Sequence, residues 1–407
     1  MKPLKVIETF AGIGAQKEAL NRANIEHEIV HTVEWDIHAI MGYAVMHHHS
    51  LKPSRLSKEK IIEKLSQVTL SSDGKTPLST TGLKSISEEK LQLLYASIQK
   101  NKNLCDITKI RGDQIPNDTD LLTYSFPCQD LSNARAFHYQ DNEGISKGAN
   151  TRSGLLWEIE RILREKFSIG ADLPTFLLME NVNAINSPKH NANFLQWQKE
   201  LEEMGYVNKV YRGLVATDFG VPQQRSRTFM LSVRTDSINE IEMSSLVFHK
   251  PYDLSKYLRL EKYPDEEIAV TPNMTPSRKK ILENNKHLAE NGKVIAEFAN
   301  TISTKQDRNP NAGVILQKNG DMRYLTNREA FLLMGFPEKK FNKLKRLNHK
   351  HIYFSESALI KMAGNSIVVD VLVEIFKEIE RIKLVLLEKT HTSEEVELLQ
   401  RLRGMKE

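Results

Sequence analysis

Cysteine is almost absent from this chain, because only Cys105 and Cys128 occur among its 407 residues. So few thiols exclude a disulfide framework, and they also exclude a zinc site built from several thiolates. Long apolar runs are missing too, since none approaches the roughly 20 residues that a membrane-spanning helix needs. The N-terminal residues lack the apolar segment of a signal peptide. We therefore expect a cytoplasmic protein without membrane contact or bound metal.

An excess of charge of one sign is also lacking over the chain as a whole. The formal net charge of +5 permits nucleic-acid binding but does not argue for it, because many basic proteins bind no nucleic acid. Residues 339–350 (KKFNKLKRLNHK) are locally dense in positive charge. This stretch is either a solvated helix face or a surface that contacts phosphates.

Short apolar runs bounded by Gly, Pro, Asn or Asp alternate with helical patterns over the first 235 residues. The expected helices include residues 15–23 and 154–166, and the expected strands are residues 5–8, 28–34, 120–124, 175–179 and 228–233. This alternation predicts an α/β fold with a doubly wound, mainly parallel sheet.

Two segments interrupt the alternation. Residues 52–100 are polar, with two short helical patterns around a turn at 72–77, and we interpret them as an insertion between strand units. Residues 237–321 have poor periodicity with scattered Pro and Asn, which indicates a second, smaller domain. The main domain would then span residues 1–236, and residues 322–407 would return to it. An amphipathic helix is expected at 393–405.

A glycine turn follows the first expected strand and opens a helix. Gly12 and Gly14 allow a tight turn and let a ligand approach the helix N-terminus, with a purely structural turn as the alternative. Lys17 occupies the third glycine position of a dinucleotide fingerprint, which disfavours NAD or FAD and suits a smaller adenosyl ligand. Glu34 ends the next strand, where a carboxylate can bind both ribose hydroxyls. Asp106 either accepts a hydrogen bond from an adenine amino group or caps a helix or turn.

A polar loop stiffened by a proline follows the strand at 120–124. Cys128 lies in this loop, and ligands of open α/β sheets bind at the C-terminal ends of strands, so its thiol is well placed as a nucleophile. A core role is the alternative. A zinc deaminase would need a second cysteine where Leu131 stands. The consecutive histidines at 47–49 cannot all point at one bound ligand, because adjacent residues of a helix do not share a face, and we interpret them as a solvated helix end.

A carboxylate and two arginines are expected at neighbouring strand ends. Glu180 and Asn181 follow the strand at 175–179, so Glu180 faces the same crevice as Cys128 unless it merely caps the strand. Arg225 and Arg227 enter a strand two positions apart and would point to one side, where they could bind a carboxylate, a phosphate or a carbonyl oxygen. A solvated basic turn is the alternative. Together, a thiolate and an acid suit methyl transfer to cytosine C5, because thiolate addition at C6 activates C5 and an acid can protonate N3.

Seven motifs occur in a fixed order between residues 10 and 367: FAGIG, VEW, TYSFPCQDLS, MENV, QQRSR, RYLTNREAFLLMGFP and AGNSI. This series resembles the bacterial cytosine-5 DNA methyltransferase family, and TYSFPCQDLS with TRSGLLWEIER is especially similar to a restriction–modification subgroup that includes CG-methylating enzymes. The resemblance implies the S-adenosylmethionine-dependent methyltransferase fold, S-adenosyl-L-methionine as methyl donor, and double-stranded DNA with a flipped target base. It also implies a monomer that protects host DNA beside a restriction endonuclease acting on the same site.

The resemblance further implies roles for individual residues. Those at the cofactor would be Phe10, which stacks on adenine, and Gly12, Gly14, Glu34, Trp35, Asp106, Asn365 and Ser366. Those in catalysis would be Cys128 as nucleophile, Glu180 as the acid at N3, Arg227 at the base O2, and Arg225 as support for Glu180 or the backbone. Those near the substrate would be Pro127, Gln129, Ser132 and Asn181, while Arg323 and Glu329 would support the fold. Residues 133–150 would form a mobile loop, and residues 237–321 would read the DNA sequence.

Three other functions stay open on the sequence. The same chemistry could act on tRNA, as in the family's RNA-directed branch, although the large variable segment argues against it. The chain could be a DNA-binding regulator with an inactive site, although every catalytic position holds the reactive residue. An NAD-dependent oxidoreductase is disfavoured by Lys17.

Overall fold

The computed structural model describes residues 2–127, 153–235, 246–348, 351 and 353–390. Within these residues the strands are β1 (Leu4–Thr9), β2 (His27–Val33), β3 (Leu121–Tyr124), β4 (Phe176–Asn181), β5 (Tyr206–Val215), β6 (Gln223–Gln224), β7 (Ser226–Arg234), β8 (His287–Glu290), β9 (Lys293–Val294), β10 (Ala299–Asn300), β11 (Val314–Leu316) and β12 (Met322–Arg323). The α-helices there are α1 (Ala15–Arg22), α2 (Ile37–His47), α3 (Lys58–Leu65), α4 (Thr80–Ser85), α5 (Glu88–Lys100), α6 (Leu156–Ser168), α7 (Pro188–Glu203), α8 (Pro264–Ala269), α9 (Pro276–Glu283), α10 (Asn327–Leu333), α11 (Glu338–Asn348), α12 (Glu356–Asn365) and α13 (Val369–Thr390).

The main sheet has six strands in the order β2-β1-β3-β4-β7-β5. β1 is parallel to β2 and β3, and β3 is parallel to β4, whereas β7 is antiparallel to both β4 and β5. Only β7 is therefore reversed within this sheet, which confirms the predicted mainly parallel sheet of the methyltransferase fold.

Both faces of the main sheet are covered by helices. Val6 and Ile7 are adjacent on β1 and point to opposite faces, because side chains alternate along a strand. Val6 belongs to a core cluster that includes Leu20 of α1 and Phe376 of α13. Ile7 belongs to a second cluster with Trp197 of α7 and residues of α6. Burial on both faces explains why the strands are continuous apolar runs.

Two strands differ from the sequence-based prediction. β4 continues through Glu180 and Asn181, which were expected to follow it. β5 was not predicted at all. It is an edge strand in which few residues are buried, so it lacks the apolar alternation on which prediction depends.

The insertion lies between α2 and β3 and contains three helices instead of the two expected. α4 has only six residues, too few to show a helical period. α5 packs against α2 and contributes Leu91 and Leu94 to the core. The insertion is thus joined to the helical layer beside β1 and β2.

Residues 246–321 supply most of a four-stranded sheet in the order β12-β11-β8-β9. Leu282, Val314, Met322 and Tyr324 form a small cluster there, while Leu288 of β8 belongs to the main core. The predicted small domain thus shares packing with the rest of the chain, and β10 pairs with β6. Among the described helices, none is long and apolar enough to cross a membrane. The mobile loop predicted at 133–150 and the helix predicted at 393–405 lie outside the described residues.

Candidate active site

Three neighbouring strands of the main sheet end in register. Thr9 of β1 pairs with Tyr124 of β3, and Tyr124 pairs with Met179 of β4. The next residues of the chain after these three are Phe10, Ser125 and Glu180, respectively. The glycine turn and the loop leading to position 128 therefore leave the sheet at the same edge as Glu180.

Both carboxylate oxygens of Glu180 have a partner. Oε1 lies 3.1 Å from Nε of Arg227, and Oε2 accepts a hydrogen bond from the hydroxyl of Ser125. Glu180 is only 7% exposed, so these contacts form where water competes little. The two partners fix the direction of the carboxyl group.

The loop after β3 is tied to β4 by Asn181. Its Nδ2 donates to the carbonyl of Phe126 at 3.1 Å, while its Oδ1 accepts from the backbone N–H of Val182 at 2.8 Å. Pro127 follows directly and is the last residue described in this segment. The predicted site residues that lie outside the described residues are Cys128, Gln129 and Ser132.

Arg225 and Arg227 have different partners. Arg227 contacts Glu180, whereas the buried guanidinium of Arg225 donates to three backbone carbonyls. These belong to Ile302 at 3.1 Å, Gly364 at 3.0 Å and Ser366 at 2.8 Å. Arg225 lies between β6 and β7, so the alternation of a single strand does not apply to it. Of its two predicted roles, these contacts match support of the backbone.

The glycine turn depends on two positive φ angles, 53° at Gly12 and 77° at Gly14. A Cβ at Gly14 would lie 2.7 Å from both Nε2 of His47 and the ring of Tyr43, so glycine is required there for packing. A Cβ at Gly12 would meet no atom of the described residues within 4 Å. The side of the turn at Gly12 is therefore open to a ligand.

His47 is buried, so the predicted solvated helix end is wrong for this residue. Its Nδ1 lies 3.3 Å from the ammonium of Lys340, which can only donate, and its Nε2 lies 2.9 Å from the carbonyl of Ile13. Nε2 therefore carries the proton and donates to the glycine turn. Burial lowers the pKa of His47 well below its ordinary value, which keeps the ring neutral. The run of three histidines did not predict this burial, because it carries no information on tertiary packing.

The basic stretch at 339–350 largely coincides with α11, and two of its lysines contact α1 and the end of α2. Lys340 lies 3.1 Å from the carboxylate of Glu18. Lys343 donates to the carbonyls of Met46 and His48 at 3.3 and 3.4 Å, at the C-terminal end of α2, where cations are favoured. These two lysines thus join helices, a role that neither sequence-based interpretation included.

Glu34 is anchored at the glycine turn by three backbone N–H groups. Oε2 accepts from Gly12 at 2.9 Å, and Oε1 accepts from Trp35 at 2.9 Å and from Asp36 at 2.8 Å. Burial raises the pKa of Glu34 to about 7, and the charge of Asp36 adds to the rise. Trp35 directly follows Glu34 in the sequence, and Phe10 begins the glycine turn. Both aromatic side chains are half-buried.

Asp106 adopts the capping role that was the alternative on the sequence. Its Oδ1 accepts from the backbone N–H and the hydroxyl of Thr108, at 3.0 and 2.9 Å. The neighbouring thiol of Cys105 is buried, and burial together with the charge of Asp106 raises its pKa to about 12. Cys105 is therefore an unreactive core residue. Among the described residues, no cluster of His, Cys, Asp and Glu is arranged to hold a metal ion.

Asn365 ends α12 and Ser366 follows it, where Arg225 binds the Ser366 carbonyl. One turn earlier, Lys361 donates to Oδ2 of Asp36 at 2.6 Å. The C-terminal segment is thereby joined to the turn that follows Glu34. Sequence reasoning missed both Lys361 and Ser125. Neither has a periodic signal, although Ser125 lies within TYSFPCQDLS.

Arg323 and Glu329 form a fully buried pair with bonds of 2.9 and 3.0 Å between the guanidinium and both carboxylate oxygens. Glu329 also completes a capping box with Thr326 at the start of α10. The geometry matches the structural role implied for the pair, since buried charged groups need an oppositely charged, hydrogen-bonded partner.

Comparison with known proteins gives one consistent result. The family profile described as C-5 cytosine-specific DNA methylase matches residues 79–381. The chain is 34% identical over 396 residues to the orphan methyltransferase M.SssI of Spiroplasma monobiae, covering 93% of this chain and 97% of that protein. It is 33% identical over 382 residues to the Type II methyltransferase M2.ScrFI of Lactococcus lactis subsp. cremoris, covering 92% and 99%. The crystal structure of the S. pombe Dnmt2 methyltransferase shares the fold, with a TM-score of 0.60 at 18% identity over 93% of this chain and 99% of that one.

Proposed function

Since the chain belongs to the family of C-5 cytosine-specific DNA methylases and is a DNA cytosine-5 methyltransferase of the restriction–modification type, we propose that it takes its methyl group from S-adenosyl-L-methionine. The substrate would be a cytosine flipped out of double-stranded DNA. The biological partner would be a restriction endonuclease that acts on the same site. The enzyme would act as a monomer in the bacterial cytoplasm.

The residues around the glycine turn fit an adenosyl ligand. The open side of Gly12 leaves room for close approach, and the anchored carboxylate of Glu34 can accept hydrogen bonds from ribose hydroxyls. Phe10 and Trp35 would flank the adenine ring, and Asp106 would accept from its amino group. The remaining proposed cofactor contacts are Gly14, Asn365 and Ser366. When bound, the donor supplies an electrophilic methyl group.

The proposed reaction begins with addition of the Cys128 thiolate to C6 of cytosine. Glu180 gives a proton to N3, so the adduct carries no additional negative charge and C5 becomes nucleophilic. C5 forms a bond to the methyl group as the bond from methyl to sulfonium sulfur breaks. Loss of the C5 proton to a base then expels the thiolate, and return of the N3 proton to Glu180 restores both the neutral aromatic ring and the acid.

Other residues would hold the base in place. Arg227 would contact O2 of the cytosine while keeping Glu180 in position, and the carbonyl of Pro127 would face the exocyclic amino group. Asn181 would brace the loop that carries the nucleophile. Gln129 and Ser132 would contact the DNA strand. Residues 237–321 would form the target-recognition domain between the main domain (1–236) and the returning segment (322–407).

The observation that carries this proposal is the fixed carboxyl group of Glu180 at the strand end beside Phe126 and Pro127. The test uses tritium-methyl-labelled S-adenosyl-L-methionine with duplex DNA and tRNA as competing acceptors, followed by bisulfite sequencing of a plasmid from expressing cells. We expect label in DNA alone and protected cytosines in a single sequence context. Label in tRNA, or no transfer with intact binding of the donor, would overturn the proposal.

A further inference from the structure

The insertion at residues 52–100 reaches the proposed cofactor site through its loop at 71–76. The backbone N–H of Ser71 donates to the carbonyl of Trp35 at 2.8 Å, and the carbonyl of Ser71 accepts from Ile37 at 2.9 Å. These bonds form a parallel bridge between Ser71 and Asp36. Ser71 is completely buried. The insertion therefore holds the turn that immediately follows Glu34.

Lys361 joins this loop to the C-terminal segment. Its ammonium donates to Oδ2 of Asp36 at 2.6 Å and to the carbonyl of Asp73 at 2.7 Å. The Lys361 and Asp36 side chains are 28% and 11% exposed, so the ion pair is partly shielded from water. Lys361 also lies one helical turn before Asn365. One cation thus connects the turn after Glu34, the insertion and the helix that leads to Asn365.

Gly74 fits tightly against this contact. Its φ of +67° favours glycine, and a Cβ there would lie 3.1 Å from Nζ of Lys361 and 3.3 Å from Oδ2 of Asp36. Those distances are closer than ordinary van der Waals contact, so a side chain at position 74 would force the ammonium or the carboxylate to shift by a few tenths of an ångström. The insertion is therefore matched in shape to the Lys361–Asp36 pair.

We propose that the insertion is a wall of the cofactor site, and that Lys361 is a positioning residue that sets the distance between the turn at Trp35 and the turn at Asn365. This inference rests on the proposed binding of S-adenosyl-L-methionine at the glycine turn. The two turns come from parts of the chain more than 300 residues apart, and Lys361 joins them to each other and to the loop at 71–76, beside the packing of α12 on α2. Loosening this link would let the site widen and lose affinity for the donor.

The first test replaces Lys361 in the full-length enzyme and measures S-adenosyl-L-methionine binding by calorimetry without DNA, together with steady-state kinetics. Lys361→Met should weaken donor binding by about tenfold and raise the KM for the donor, because a partly buried charged hydrogen bond is lost. The kcat at saturating donor and the KM for DNA should stay near wild type. Lys361→Arg keeps the charge and should restore most of the affinity.

The second test changes only the insertion. Gly74→Ala should weaken donor binding by roughly threefold through displacement of the Lys361 ammonium. Gly170→Ala is the matched control, because Gly170 has the same φ of +67° but, in the part of the chain that the structure describes, no atom lies within 4 Å of a Cβ there. Both variants carry the same backbone strain, so Gly170→Ala measures the effect of that strain alone on thermal unfolding and on donor binding.

The outcomes separate the two proposals. Equal donor affinity in Gly74→Ala and Gly170→Ala, together with wild-type affinity in Lys361→Met, would overturn the role of the insertion and leave the proposed function intact. Lower stability of Lys361→Met with an unchanged KM for the donor would likewise reduce Lys361 to a structural residue. Failure of the wild-type enzyme to bind the donor would instead overturn the proposed function.

Discussion

Nε of Arg227 lies 3.1 Å from Oε1 of Glu180, across the antiparallel pair of β4 and β7. The second oxygen of Glu180 accepts a hydrogen bond from the hydroxyl of Ser125, the residue that follows β3 on the other side of β4. Residues on both sides of β4 therefore orient the carboxyl group. Such preorganisation lets an acid deliver a proton without a change of conformation.

Glu180→Gln should abolish most of the activity, because the amide fills the same space but cannot release a proton to N3. We expect kcat to fall about 10²- to 10⁴-fold, with the KM for S-adenosyl-L-methionine unchanged. Steady-state methyl transfer measures both quantities. Glu158→Gln on α6 removes another carboxylate bonded to an arginine, Arg161, and should leave kcat intact. Equal losses in the two variants would contradict the assigned role.

Ser125→Ala removes one of the two donors that hold Glu180. A hydrogen bond to the carboxyl group is lost from a buried site, so kcat should fall roughly tenfold while both KM values change little. Ser232→Ala serves as the control, because its hydroxyl donates to Asn208 at 2.6 Å elsewhere in the same sheet. A wild-type kcat in Ser125→Ala would show that Arg227 alone positions the acid.

Arg225 and Arg227 should respond differently to the same substitution. Arg225→Met leaves three buried carbonyls without a donor, and we expect the free energy of unfolding to fall by about 2–4 kcal/mol. Arg227→Met should mainly reduce kcat, since this side chain contacts the acid and remains 18% exposed. Chemical denaturation and steady-state kinetics on both variants provide the comparison. A loss of kcat without a loss of stability in Arg225→Met would refute its structural assignment.

Donor binding should depend on pH through Glu34. Burial raises the pKa of this carboxyl to about 7, and the ionised form is the one that accepts two ribose hydroxyls. Affinity for S-adenosyl-L-methionine should therefore be full above pH 7 and should decline as the pH falls through 7, approaching tenfold per unit below it. Calorimetric titrations at several pH values measure this. Glu34→Gln should bind weakly with a flat profile, and an unchanged slope in that variant would assign the titration to another group.

The sequence predicted those parts of the fold and site that depend on local patterns. The buried strands, the glycine turn and the place of Glu180 at a strand end were predicted because apolar runs and strand ends are local in the chain. β5 was missed because an edge strand has little apolar alternation. The contact between Lys361 and Asp36 spans 325 positions, and no local pattern contains it.

His47 illustrates a second limit of sequence reasoning. Three consecutive histidines suggest a polar helix end, yet the first of them packs beneath the glycine turn and binds Ile13. Its burial depends on the glycine turn and on α11, which meet α2 only in the folded chain. Local patterns also failed to predict that Arg225 and Arg227 have separate partners. Arg225 lies in the break between β6 and β7, so its side chain does not point in the direction expected for a continuous strand.

Attack of the Cys128 thiolate on C6 of a cytosine can be tested by trapping the enzyme on duplex DNA that contains 5-fluorocytosine. Fluorine at C5 cannot leave as a proton does, so the enzyme should remain covalently attached after methyl transfer. Mass spectrometry should find the adduct on the peptide containing Cys128. Cys105→Ala should form it as wild type does, and Cys128→Ser should form none while still binding the donor. A wild-type enzyme that methylates DNA but yields no adduct, or an adduct at another residue, would contradict the account.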